Sequence, residues 1–223
     1  MALRGLITRK EIWVPTYRGL GLVVVLFALC VTGILYGIHP FLAINHPQGQ
    51  GILIVEGWLS DKDLDLALPL LKSQAYHVII TTGGALDDDS IYRKLFPNKG
   101  TWADVVAAQI IALGISVDRV KPVPRPPVEQ ARTYASAIAV RQWLDQADRM
   151  PHLVDVLTIG SHARRSWMLF GLALGDRYTV GVIALEDRHY DELYWWRSSE
   201  GVKTVLKETV GYLYAKFLFW PDA

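Results

Sequence analysis

The chain has 223 residues, one ordinary domain with about 40 residues over. Hydrophobic residues make up 51% and charged residues 20%, which excludes a disordered chain, and the single cysteine, Cys30, excludes an intramolecular disulfide and a Cys-cluster zinc site. The net charge of +1 hides an asymmetry: residues 1–18 carry Arg4, Arg9, Lys10 and Arg18 against Glu11, leaving 19 basic and 21 acidic residues in a body with no bulk pull on nucleic acid.

From Gly19 to Ile38 twenty residues run without a charge, and Thr32 is the one clearly polar side chain among them. At 1.5 Å per residue this is about 30 Å of helix, enough to cross a bilayer core, and a buried core helix would show a polar stripe. A cleavage site before residue 44 would put Phe41 where a small residue belongs, and Leu29 does the same for a lipoprotein site at Cys30, so the segment reads as an uncleaved anchor. No Lys or Arg occurs between Arg18 and Lys62. The positive-inside bias therefore predicts a cytoplasmic 1–18, a span over 19–41, a stalk over 42–50, and the domain 51–223 on the extracytoplasmic, periplasmic side of an inner membrane.

In the body, 51–58 is an apolar, β-branched run of the kind buried on both sheet faces. Ser60-Asp61 signals an N-cap for a helix over 62–73, and 76–84 is a second strand ending in a glycine pair. Thr101 caps a helix to about Leu113, closed by Gly114. A short strand in 120–127 is ended by proline, and a helix rich in Ala and Ser follows over 129–144. Then come a strand (152–160), a helix (161–175), a strand (178–186) and a last helix over about 200–218. In that last helix Val202, Leu206, Val210, Leu213 and Phe217 form one apolar stripe, expected to dock on the domain with the aromatic end near Trp220 pointing toward the membrane. Alternation at this spacing predicts an α/β, Rossmann-like three-layer sandwich, with a mainly parallel sheet of about five strands, behind one transmembrane helix.

Open α/β sheets bind ligands outside the carboxyl ends of their strands. That rule selects Glu56-Gly57-Trp58, Thr81-Thr82-Gly83-Gly84, the stretch from Arg125 to Thr133, and Gly160 to Arg165. Ser161 is placed to cap a helix whose first turn holds His162, Arg164 and Arg165, a setting for phosphate or carboxylate, since cations there oppose the helix dipole unless an anion joins them. The alternative is surface arginines bridging to acids. Thr82, Gly83 and Gly84 permit close approach of backbone to a ligand, or form an ordinary βα turn. Glu56 is a candidate general base or hydroxyl acceptor, or else pairs with an arginine such as Arg132. Asp61, Asp63 and Asp65 fail the EF-hand pattern at Leu66 and Lys72, and Asp87-Asp88-Asp89 reads as a solvated acidic turn, so no metal is expected and any cofactor stays open.

The order of these motifs resembles the SanA/ElyC/YdcF envelope protein family over about residues 51–185. The resemblance is carried by Glu56-Gly57 after the first strand, Thr82-Gly83-Gly84, Gly114, Arg132-Thr133-Tyr134-Ala135-Ser136, and His162-Ala163-Arg164-Arg165. The family commonly reads T-x-x-N-A where this chain has Thr133 to Ala137 with Ser136 in the Asn position, and the end of its first strand is more often glycine-rich than Glu56-Gly57-Trp58. The resemblance implies a Rossmann-like, often membrane-tethered domain linked to envelope or murein biogenesis, without an assigned reaction.

Two functions are then expected to compete. In the first, the domain acts on a phosphate-bearing, lipid-linked or free envelope precursor, with His162 and Glu56 as acid/base groups and Thr82, Gly83, Gly84, Arg132, Thr133, Ser161, Arg164 and Arg165 lining the anion site. In the second, the same pocket belongs to a non-catalytic ligand-binding or scaffold module. Membrane lipid is a partner in both, and nucleic acid in neither.

Overall fold

The five apolar runs pair side by side as β1 (Gly51–Glu56), β2 (Tyr76–Gly83), β3 (Val120–Pro124), β4 (Leu153–Ile159) and β5 (Thr179–Leu185). All neighbours are parallel, in the order β3-β2-β1-β4-β5. The computed structural model describes residues 13–87, 90–147 and 150–220; Arg4, Arg9, Lys10, Glu11, Asp88 and Asp89 lie outside the described residues. β1 is central and buried along its whole length, which is why it reads as an unbroken apolar run rather than an alternating one.

Helices cover both faces. Leu53, Val55, Ile79 and Leu157 pack against α2 (Asp61–Leu66), α3 (Leu68–Lys72) and, beyond the single-turn α4 (Ile91–Leu95), α5 (Trp102–Ala112). Ile52, Ile54, Ile80, Val154 and Val156 pack on the other face against α6 (Arg132–Gln146) and α7 (Ala163–Leu174), where Ala137, Ala139 and Ala173 allow close approach. Each fully buried Ile or Leu contributes about 1.5–3 kcal/mol of burial free energy. The expected α/β, three-layer sandwich is the fold observed.

Local signals set the helix starts. The Thr101 hydroxyl accepts from the Asp104 N–H, and Ser60 and Asp63 form a reciprocal capping box. The single helix expected over 62–73 is two, divided at Ala67, with Pro69 in the first turn of the second. α6 begins three residues later than its composition suggests, because Ala131 takes φ +52°, a left-handed conformation that bars it from the helix.

α1 (Tyr17–Leu42) is long and apolar enough to cross a membrane, with mean hydropathy 2.5 over an 18-residue window of which none is buried in the domain. The helix continues through Pro40 and enters the domain, where Leu42 is buried beside Tyr190, Trp195, Val205 and Tyr212. The stalk expected over 42–50 is instead fastened to the sheet. His46 bridges Val182 of β5, and the Gln48 and Gly49 N–H groups donate to Asp155 of β4 at 2.7 and 2.8 Å.

α8 (Ser199–Phe217) corrects a second expectation. Its buried positions are Gly201, Val205, Glu208 and Tyr212, whereas Leu206, Val210, Leu213 and Phe217 are all exposed. The helix docks by a face holding a glycine and a carboxylate, because Glu208 meets partners that compensate its burial.

Candidate functional site

The strand order reverses between β1, whose successors run to one side, and β4, whose successor runs to the other. Such a switch point opens a crevice at the carboxyl ends of the strands. The period of two along each strand then selects what faces it. Continuing the faces of Ile52 and Ile54, of Ile80, and of Val154 and Val156 leads to Glu56, Thr82 and Thr158, on the side covered by α6 and α7. A cavity of about 710 Å³ lies there.

Glu56, Thr82, Gly83, Gly84, Arg132, Thr133, Ser161, His162 and Arg165 all line this cavity, so nine of the ten residues singled out in the sequence converge. Arg164 does not. It points to the opposite side of α7, where its Nε donates to the Phe41 carbonyl and its guanidinium stacks on the Phe41 ring at 3.9 Å, because odd and even neighbours in a first helical turn diverge by about 100°. Ser161 also departs from its expected role: it is buried in a short 3-10 turn (Gly160–His162), and α7 starts without a side-chain cap.

His162 is the hub of a charged network. Its Nδ1 lies 3.0 Å from Glu208 Oε2 and its Nε2 lies 3.6 Å from Glu56 Oε1. Glu208 also receives Arg165 through Nε at 2.9 Å and Nη2 at 3.1 Å, a two-point pair. The Ser166 hydroxyl donates to Glu56 at 3.0 Å, and the half-exposed Trp58 ring meets the imidazole edge-on at 5.0 Å. Burial pulls the His162 pKa down, but the Glu56 charge and the bond to Glu208 outweigh it and hold it at about 9. Burial raises the Glu208 carboxyl, and its bonds to His162 and Arg165 overcome that to hold it at about 2. Glu56 is likewise below its ordinary value, burial being outweighed by the imidazolium and the Thr158 and Ser166 hydroxyls. At neutral pH the network is an imidazolium and a guanidinium against two carboxylates. Glu56 therefore pairs with His162, not with Arg132, and Arg165 is neutralised.

Free positive charge stands elsewhere in the cavity. Arg125, just beyond β3, and Arg132, the first residue of α6, both line it, and neither has a carboxylate within 4.0 Å among the described residues. Burial, and secondarily the charge of Arg132, lower the Arg125 pKa. A Cβ on Gly84 would sit 2.6 Å from the Arg125 guanidinium carbon, so glycine makes that placement possible. Among the described residues, the N-terminus of α6 has no side-chain cap and the buried Thr82 hydroxyl has no hydrogen-bond partner. Unpaired cations, a bare helix start and an unsatisfied hydroxyl suit an anion with several oxygens.

Arg125 lay within a segment the sequence selected, yet two prolines after it masked its role. Glu208 carried one faint signal: an acid on the same helix face as Val205 and Tyr212.

No protein-family model matches this chain, and no curated protein matches it.

Proposed function

We propose that this chain is a membrane-anchored protein of cell-envelope biogenesis, of the SanA/ElyC/YdcF type it resembles, with its main domain on the extracytoplasmic side. In this reading the switch-point cavity binds a phosphate-bearing precursor, lipid-linked or free. One observation carries it: Arg125 and Arg132, the latter at the uncapped start of α6, share the cavity and neither has a carboxylate within 4.0 Å among the described residues. The basic residues preceding Gly19 support this orientation of the anchor.

In the catalytic form of this function, His162 is protonated at neutral pH and serves as proton donor. As the scissile P–O bond breaks, the imidazolium proton passes to the leaving oxygen, while water or an acceptor hydroxyl forms the new P–O bond and gives its proton to Glu56. The two protein groups end with one proton exchanged between them, and reset across their 3.6 Å separation.

A non-catalytic ligand-binding module is the second reading, and the closed network favours it: His162 held between Glu56 and Glu208 is electrostatically satisfied without a substrate. Phosphate and a phosphate monoester should each raise the thermal midpoint of the detergent-solubilised full-length protein, and Arg125→Gln with Arg132→Gln should abolish that rise. Protection that survives the double variant would overturn the anion site. Turnover of the monoester that disappears in His162→Gln, with protection retained, separates enzyme from binding module.

A further inference from the structure

α8 presents Leu206, Val210, Leu213 and Phe217 to solvent at 53, 67, 46 and 60% exposure. At 100° per residue this stripe centres about 140° from the face buried on the domain. Lys203 and Lys207 flank it on one side and Lys216 on the other, the arrangement in which long side chains reach headgroups while apolar neighbours enter the acyl boundary.

The position of α8 relative to α1 supplies the partner. Just before α8, Trp195 donates its indole N–H to the Leu35 carbonyl at 2.8 Å, and Leu35 lies inside the apolar run that ends at Ile38. Tyr36 packs edge-on with Trp196 at 4.8 Å and with Tyr194 at 6.5 Å, an aromatic cluster at the level where the apolar run ends. Further along, Tyr212 meets Phe41 at 5.5 Å. Between these contacts α1 advances about 9 Å and α8 about 20 Å, so α8 runs obliquely and rises slowly away from that level.

We infer that α8 is an interfacial helix: its Leu206-Val210-Leu213-Phe217 stripe lies in the headgroup–acyl boundary of the bilayer that α1 crosses. This rests on α1 being a membrane span. The 4-3-4 spacing of the stripe is also that of a two-helix seam, so a second copy is the competing occupant. Lipid is favoured because the helix starts on the span itself and carries lysines on both flanks.

The test uses the full-length protein in nanodiscs of phosphatidylethanolamine and phosphatidylglycerol. A Cys30→Ser, Val210→Cys variant carries an environment-sensitive fluorophore, and spin labels sit either near the headgroups or at the chain ends. The stripe predicts a blue-shifted label, quenched more by the shallow spin label than by the deep one. A label at Val117→Cys, exposed beyond the opposite ends of the strands, stays unquenched. Native Cys30, labelled separately, reports the span. Quenching at Cys30 without quenching at residue 210 overturns the interfacial helix and leaves the span standing. Absence of both overturns the span and the helix with it. A blue-shifted, unquenched label at residue 210, together with disulfide cross-linking of two copies through the unlabelled Val210→Cys thiol under oxidation, assigns the stripe to self-association and overturns the lipid partner.

Discussion

Glu208 of α8 and His162 at the start of α7 meet at 3.0 Å, so the last helix of the chain supplies the counter-charge for the residue that follows the fourth strand. Because the same carboxylate holds Arg165, its removal leaves Arg165 without a carboxylate partner among the described residues and His162 with Glu56 alone. Glu208→Gln should therefore lower stability by about 3 kcal/mol, the cost of breaking a buried charge pair from one side. Chemical denaturation in detergent measures it. Adding Arg165→Met to that variant should recover part of the loss, whereas equal stability of Glu208→Gln and wild type would remove Glu208 from the fold's supports.

The network also sets a pH window. The His162 pKa is raised from 6.5 to about 9, so its stabilisation is complete below 6.5 and is lost as pH climbs through about 9. The Glu208 pKa is depressed from 4.5 to about 2, so its contribution is present above 4.5 and is lost as pH falls through about 2. The thermal midpoint should peak between pH 4.5 and 6.5. In His162→Gln the decline between pH 6.5 and 9 should flatten, and an unchanged alkaline limb would show that another group produces it.

The two adjacent arginines should behave differently. Arg164→Gln should leave phosphate protection intact and cost about 0.5–1 kcal/mol from the lost contact with the Phe41 ring. Arg165→Gln should destabilise more, because it uncovers Glu208. Thermal midpoints with and without phosphate distinguish the pair, and loss of protection in Arg164→Gln alone would restore it to the anion site.

Asp155 is fully buried and accepts from Gln48 N–H, Gly49 N–H and the Tyr76 hydroxyl, the last at 2.7 Å. Asp155→Ala leaves three donors without a partner and should cost about 3 kcal/mol or more, while Tyr76→Phe should cost about 1 kcal/mol. Limited proteolysis should cut between Ala43 and Gly51 in Asp155→Ala and spare that segment in wild type.

What the sequence disclosed follows the range of the interactions involved. Ser60 and Thr101 were legible as caps because their partners lie three residues away, and β1 and β4 because central parallel strands need continuous apolar runs. The turns at Gly83, Gly84 and Gly160 marked the strand ends, and strand ends place the site. The docking face of α8 was not legible. Counting apolar residues favours Leu206 and Val210, while the buried Glu208 depends on partners 43 and 46 residues away. Asp155 was hidden likewise: one acid in an apolar strand acquires its reason only when residues 48, 49 and 76 come beside it.

The clasp of residues 46–49 on β4 and β5, together with the burial of Leu42, ties α1 to the sheet on both sides of the 43–45 segment. Through these contacts, torque applied to α1 about its own axis would be passed to the sheet and turn the cavity mouth with it. In the membrane-anchored arrangement proposed above, a neighbouring helix that grips α1 would set the compass bearing of the cavity, and could aim it toward or away from an adjacent protein without touching the domain.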